Sequence, residues 1–490
     1  VNNSVNHKFW SLVIIASLSG ILLTGCAQKK SNDPIDDGKV EIGIYHCTFN
    51  ISSADTNEVK AIEEAINDYI DDKINVKIRL TDIGQGEYTE KCNLAIANGE
   101  TNLFWTANWK GADSLVPQNA VYDLSELLPG TVLYESIPDS VWKSSRYNGH
   151  DYFIPCYKEA SEGYDIVYPT AKAEKYGFDP SSIKKLKDLE PILEKMKEDG
   201  VKYPFLLQKM TAFSRFYLDD YDFIASNSMF AVDRKTNKIV NCLNLPEYRE
   251  FVSLMGTWVE KGYISSEEAA QTIPDTAINT TDWGFAIWWD VPINEVASYT
   301  YNQDCNIIKM TKNYINSNST LGSCFGVTSS SSEEEAKACI DFMGLMYTDS
   351  TLATLFTYGI EGTDYEMKDG LIEKKGELYN HSPWESGSVT VIPPAIGEPK
   401  NKKDIYEAFN KEAETSIANG FRVNFDSVAS TWAACLALYN KYGYTLETGG
   451  YSAEEVDAAL DKYRSELDSA GYQEILALAE NQYNTWKELQ

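Results

Sequence analysis

Apolar residues alternate with polar ones at Val40, Ile42 and Ile44, recur at helical spacing at Val59, Ile62, Ile66, Tyr69 and Ile70, and return to period two at Val76, Ile78 and Leu80. The pattern predicts a strand, a helix capped by Thr56-Asn57, and a second strand. Such a β-α-β unit implies a parallel sheet covered by helices. The alternation continues with a helix over Tyr88 to Ala97, a short strand over Asn102 to Thr106, and strands over Asp151 to Pro155 and Ile166 to Tyr168. Amphipathic helices follow: one begins near Pro191, and one covers Pro246 to Tyr263 with proline in its first turn. The run Phe285-Ala286-Ile287-Trp288-Trp289 predicts a short buried strand. A helix over Ser330 to Met346 opens on serine caps and acidic residues, which suit the positive end of a helix dipole. From about residue 380 the chain reads as mostly helical, ending in Glu454 to Leu489.

The N-terminus follows a different rule. Lys8 precedes an apolar run, Phe9 to Leu23, that is too short to span the ~30 Å hydrocarbon core as an ordinary helix. It closes on Leu23-Thr24-Gly25-Cys26, which resembles the lipobox of bacterial lipoproteins. That resemblance implies removal of residues 1–25 as a signal peptide, acylation (palmitate) of Cys26, and a location on the outer face of the bacterial cytoplasmic membrane. Two acyl chains anchor stably where one does not. Residues 26–39 are polar, contain Pro34 and Gly38, and read as a flexible tether. No later segment reaches the ~18 continuous apolar residues of a membrane helix.

Composition narrows the function. With 73 acidic and 43 basic side chains the net charge is −30, which excludes nucleic acid as a partner because its phosphates need a basic face. A 490-residue chain with 43% hydrophobic residues is expected to build more than one core. Beyond Cys26 stand Cys47, Cys92, Cys156, Cys242, Cys305, Cys324, Cys339 and Cys435, widely spaced and without a C-x-x-C, and they are expected to be mostly free, buried thiols. His46, His150 and His381 show no metal-ligand spacing, so neither a metal nor a cofactor is expected. The phosphate-cradling G-x-x-x-x-G-K-[ST], the dinucleotide G-x-G-x-x-G and the hydrolase G-x-S-x-G are absent.

Taken in order, these segments resemble the extracellular solute-binding proteins of ABC importers, in particular the maltose-binding-like family 1 of carbohydrate-binding lipoproteins. Asn102 to Lys110 (NLFWTANWK) resembles the strand and cleft loop of that family's first lobe. Tyr147 to Pro155 (YNGHDYFIP) resembles its x-N-G-K-x-Y-x-I-P crossing into the second lobe, with His150 in place of the usual Lys. Tyr168 to Gly177 resembles its Y-N-K segment, with Pro169-Thr170 in place of Asn-Lys, and Thr320 to Thr328 resembles the return strand. Tyr358 to Tyr365 and the tail resemble a subgroup with a distinct C-terminal region. The resemblance implies an α/β, two-lobe periplasmic-binding-protein-like fold (type II): each lobe a mostly parallel sheet flanked by helices, a ligand cleft at the hinge, and a helical C-terminal region. The first lobe is then 40–155 plus about 304–357, and the second 156–303 plus about 366–490.

A sugar offers hydroxyls at its rim and C–H groups on its faces, so its site calls for aromatic platforms and planar hydrogen-bonding side chains. The chain carries 31 Tyr, 18 Phe and 11 Trp, several of them where strands end, the place ligands occupy in open α/β sheets. Trp105 and Trp109 straddle the end of the third strand, one packing inward and Trp109, with Asn108, facing the ligand. Phe49 and Asn50 end the first strand; a plain turn is the alternative. Tyr157 and Glu159 follow the crossing, where Glu159 is either a ligand contact or a hinge salt bridge. In Trp288-Trp289-Asp290 consecutive strand positions point to opposite faces, so one tryptophan can leave the core, and Asp290 can accept hydroxyl hydrogen bonds. Glu361, Trp384, Phe425 and Asp426 complete the candidates.

The expected protein is a monomeric, membrane-anchored receptor that captures a carbohydrate, by preference an oligosaccharide, and delivers it to ABC permease subunits and their ATPase without doing chemistry. Two alternatives stay open: a surface glycan-degrading lipoprotein working with paired carboxylates, and a glycan- or peptide-binding lipoprotein without a transport role.

Overall fold

A computed structural model describes residues 38–50, 54–207, 212–225, 227–270, 282–293, 295–376 and 378–490. The signal segment, Cys26 and all of the tether before Gly38 lie outside the described residues. Lys39–Gln490 is one compact unit.

Val40–Thr48 lies parallel to Val76–Gly84 along its whole length and parallel to Leu103–Thr106 on its other side. Cys324–Val327 pairs antiparallel with Leu103–Thr106 and with Phe153–Pro155, completing a five-stranded sheet. The second sheet has four strands, in the order Cys305–Lys309, Tyr164–Pro169, Trp283–Trp289, Tyr203–Leu206, with Tyr164–Pro169 antiparallel to both neighbours. Each sheet is therefore mostly parallel with one strand reversed. In both cases the reversed strand is the first after the chain passes between sheets. The parallel strands finish at the junction, so a chain arriving from the junction has to run the other way.

The periodicities account for the packing. Helix Thr56–Ile70 buries Val59, Ile62, Ile66 and Ile70 on one stripe, while Val76, Ile78 and Leu80 alternate inward. These residues join one core with Trp105, Trp142, Phe153 and Phe325. A second core gathers Phe205, Phe213, Tyr248, Phe251, Trp258 and Phe285 with Leu460, Tyr463, Tyr472 and Ile475 of the C-terminal helices Val456–Ser469 and Tyr472–Glu488. Gly326 is required by close approach: a Cβ there would lie 2.6 Å from Phe104 Cζ. The eight cysteines after Cys26 are free and buried. No described helix is long and apolar enough to cross a membrane.

Two local readings change. The cap of the first helix is Asp55, whose Oδ1 accepts from the amides of Asn57 and Glu58, both at 3.0 Å; the carboxylate reaches two orphan donors that Thr56 and Asn57 cannot. The tail is less helical than its pattern suggests. Between residues 380 and 401 the only regular element is the single turn Pro383–Glu385, because Pro383, Pro393, Pro394 and Pro399 remove donors and fix φ.

Candidate functional site

The strand Leu103–Thr106 is buried throughout and runs into Ala107 and the turn Asn108–Lys110, which ends on Gly111 at φ 93°. This geometry separates two tryptophans. Trp105 is fully buried and donates its Nε1–H to Ser323 Oγ at 2.8 Å; Trp109 is 55% exposed and donates to the Gly322 carbonyl at 2.9 Å. Phe49 and Trp384 close around them, with ring centroids 5.2 Å and 5.9 Å from Trp105 and 5.1 Å from each other. Trp109 lies 5.9 Å from both Phe49 and Trp105. The ammonium of Lys110 stands 5.2 Å from the Trp109 ring, a cation–π arrangement that holds the turn against its own aromatic face. Asn108 donates to the Asn318 carbonyl at 2.9 Å. Asn50 donates to the Asn380 carbonyl and to Ser382 Oγ, both at 3.1 Å, which ties the end of the first strand to the stretch carrying Trp384.

At the end of Trp283–Trp289, Trp288 is 4% exposed and Trp289 44%, and the two rings stack at 4.9 Å. Asp290 turns inward instead of toward solvent. Its Oδ2 accepts from Asn313 at 2.6 Å and pairs with Lys309, while its buried Oδ1 makes no hydrogen bond. Burial, and then the charge of Asp290, push the neighbouring Asp165 carboxyl up to about 7, against the pull of Lys309. The Asp290 amide donates to the Gly163 carbonyl at 2.9 Å, which places Trp289 beside the first crossing.

Three passages of chain meet at that crossing. Tyr157 exchanges backbone hydrogen bonds with Gly387 and Val389. Ser319 Oγ donates to the Ala160 carbonyl at 2.7 Å, and Asn410 bonds both the Lys158 carbonyl and the Ala160 amide. Glu159 pairs with the adjacent Lys158. The structure thus brings Phe49, Asn50, Trp105, Asn108, Trp109 and Trp384 into one neighbourhood, and Tyr157, Glu159, Trp288, Trp289 and Asp290 onto the crossing.

Three candidates lie elsewhere. Glu361 is exposed in a turn bridged to Tyr365. Phe425 stacks on Trp432 at 4.2 Å against the second core, and Asp426 beside it is exposed. Sequence reasoning missed Lys110, Asn318 and Ser382. Lys110 is signalled by its adjacency to Trp109, whereas nothing local marks the other two. A separate groove of about 560 Å³, lined by Lys143, Arg146, Arg422, Gln482 and Trp486 among others, shares no residue with the aromatic cluster.

Two α/β lobes whose parallel strands end at a shared junction, with exposed aromatic rings there and several chain crossings, form a hinged ligand-binding protein. The chain belongs to the bacterial extracellular solute-binding protein family, whose model matches residues 64–362; a domain of unknown function matches 417–488. Over 99% of both chains it is similar to a carbohydrate ABC transporter substrate-binding protein of Streptococcus pneumoniae serotype 4, at 24% identity. Its fold is similar to crystal structures of the N-glycan transport solute binding protein NgtS from Streptococcus pneumoniae, with TM-score 0.78, 21% identity and coverage of 91% of this chain and 99% of that one. The same protein in complex with Man5GlcNAc gives TM-score 0.70 at 22% identity, covering 92% and 99%. The Streptococcus pneumoniae substrate binding protein FusA in complex with kestose gives 0.60 at 16%, covering 92% and 100%. These likenesses establish the two-lobe, type II periplasmic-binding-protein-like fold.

Proposed function

We propose that this protein is a lipid-anchored receptor that captures an oligosaccharide between its lobes and delivers it intact to an ABC permease. The observation that carries the reading is the half-exposed Trp109, seated on Phe49 and Trp105, which Trp384 backs, at the carboxyl end of a buried strand. A fixed aromatic face suits the C–H face of a sugar ring. Trp289 offers a second face at the other end of the crossing. The similarity to proteins described as carbohydrate and N-glycan transport receptors supports the same class of ligand, and directs attention first to oligosaccharides of mannose and N-acetylglucosamine. Cys26 supplies the anchor and the polar stretch after it the tether. The lobe boundaries shift from those expected: Cys305–Lys309 pairs in the second sheet, so the return to the first lobe comes after Lys309 and not near 304, and Tyr379 and Trp384 pack on the first core although the stretch from about 366 was expected in the second lobe.

The test is a melting-temperature screen against mono- and oligosaccharides, with amino acids and peptides as controls. A ligand that binds only the folded state stabilises it by about 2.7 kcal/mol at one hundred times its Kd. An oligosaccharide that raises the melting temperature and is recovered uncut supports the receptor. Cleaved sugar would replace it with a glycosidase, and a response to peptides alone would overturn the ligand class. For the anchor, Cys26→Ser should abolish incorporation of labelled palmitate and release the protein from the membrane fraction.

A further inference from the structure

Behind the aromatic cluster, and separate from it, lies a group of side chains that the binding reading does not use. His46 near the end of Val40–Thr48, Asp82 opposite it on Val76–Gly84, and His381 just before Pro383–Glu385 meet with no exposed side-chain surface to speak of. One ligand atom from each lies within 4.8 Å of the others. His46 Nδ1 is 3.7 Å and His381 Nε2 2.9 Å from the Asp82 carboxylate. Donors bound to one tetrahedral ion at about 2.0–2.2 Å lie about 3.4 Å apart, and the two separations bracket that value.

The outer partners set the imidazoles in the orientation of metal ligands. His46 Nε2 lies 2.9 Å from the backbone carbonyl of Glu385, which only accepts, so the proton is on Nε2 and the Nδ1 lone pair points toward Asp82. His381 turns Nδ1 toward the Glu385 carboxylate at 3.5 Å and Nε2 toward Asp82. A far-side carbonyl or carboxylate on each histidine is the usual second layer around a bound ion. The atoms facing the gap are unsatisfied: His46 Nδ1, both Asp82 oxygens and His381 Nε2 make no aligned hydrogen bond although all are buried, and neither does His381 Nδ1 on the outer side. A bare imidazole lone pair facing a carboxylate is repulsive, and buried polar atoms without partners are costly. A cation between them removes both penalties.

We propose that His46, His381 and the two oxygens of Asp82 form a four-donor site for a divalent transition metal ion of the zinc type, oriented by Glu385. Two imidazoles with a carboxylate is a donor set that zinc favours. The ion links the ends of two strands to the turn carrying Trp384, and so fixes one wall of the aromatic cluster. The metal-free alternative is an ion pair in which a protonated His381 stands between Asp82, at 2.9 Å, and Glu385, at 3.5 Å. These are the two states the experiment separates.

Because the donors are enclosed, the ion enters as the chain folds. A tag-free preparation is unfolded, refolded with or without zinc chloride in metal-free buffer, and dialysed. We expect roughly one zinc per chain by elemental analysis and a melting temperature several degrees above that of the zinc-free sample. Cobalt(II) in place of zinc should give the visible absorption of a four-coordinate site. Asp82→Asn, which keeps the shape and removes the charge, and His381→Gln should each lose the ion and the shift. Refolded wild-type protein that retains no zinc and melts alike in both samples overturns the proposal in favour of the protonated ion pair, whatever the variants do. Zinc retained undiminished by a folded Asp82→Asn also overturns it, and points to the exposed pair of His150 and Asp123, 2.7 Å apart.

Discussion

Trp105 and Trp109 stand four positions apart in one short segment, yet they answer to different forces. Trp105 ends inside the sheet's own core with its N–H satisfied, so Trp105→Ala is expected to cost about 3–5 kcal/mol of folding stability, read by denaturant unfolding. Trp109→Ala removes an exposed face and is expected to weaken oligosaccharide binding by about 1–3 kcal/mol in calorimetry while leaving the melting temperature of the free protein nearly unchanged. A sharp drop in that temperature with no effect on binding would make Trp109 a structural residue. Glu447 gives a pH signature in another place. Fully buried, it accepts from Tyr248, Ser228 and the Phe213 amide, but burial dominates and raises its carboxyl from 4.5 to about 7. The folded state therefore binds a proton that the unfolded state has released. This contribution is complete below about pH 4.5 and is lost as pH rises to about 7, on the order of 3 kcal/mol in all. Glu447→Gln should flatten that part of the stability–pH curve; an unchanged curve would contradict the assignment.

Elements here begin and end where their terminal atoms find partners. Helix Glu333–Met346 opens with a reciprocal box in which Ser332 Oγ accepts from the Glu335 amide and Glu335 accepts from the Ser332 amide. Ser332→Ala is expected to cost about 1 kcal/mol, seen as a lower unfolding midpoint with unaltered ligand affinity, because the box lies away from the strand ends. The Ser-rich, acidic opening made this helix legible in the sequence, as the 3.6 period did for Thr56–Ile70. The stretch carrying Trp384 was not legible as irregular chain: its apolar positions suit a helix, and its prolines, with Gly387 and Gly397 at positive φ, oppose one. Direction within the sheets was equally hidden, since the reversal of Cys324–Val327 and Tyr164–Pro169 follows from where the chain re-enters each sheet and not from any local preference.

At the scale of the molecule, two cores joined through the passages around Tyr157–Gly163, 316–322 and 387–416 make a body that can hinge. With a saturating oligosaccharide, small-angle scattering is expected to show a smaller radius of gyration than the free protein; no change would mean that binding does not require closure. The hydrophobic periods, caps and compositional bias by themselves determined the α/β class, the order of elements along the first lobe, the acidic surface and the aromatic stock, because each depends on neighbours within a few residues. Which aromatics share a wall, that Asp290 faces Lys309 and Asn313 instead of solvent, and that His46, Asp82 and His381 meet were decided only by the tertiary structure. His46 and Glu385 are 339 residues apart in the chain, and no local spacing encodes a contact that exists only after the strands and the C-terminal stretch have packed.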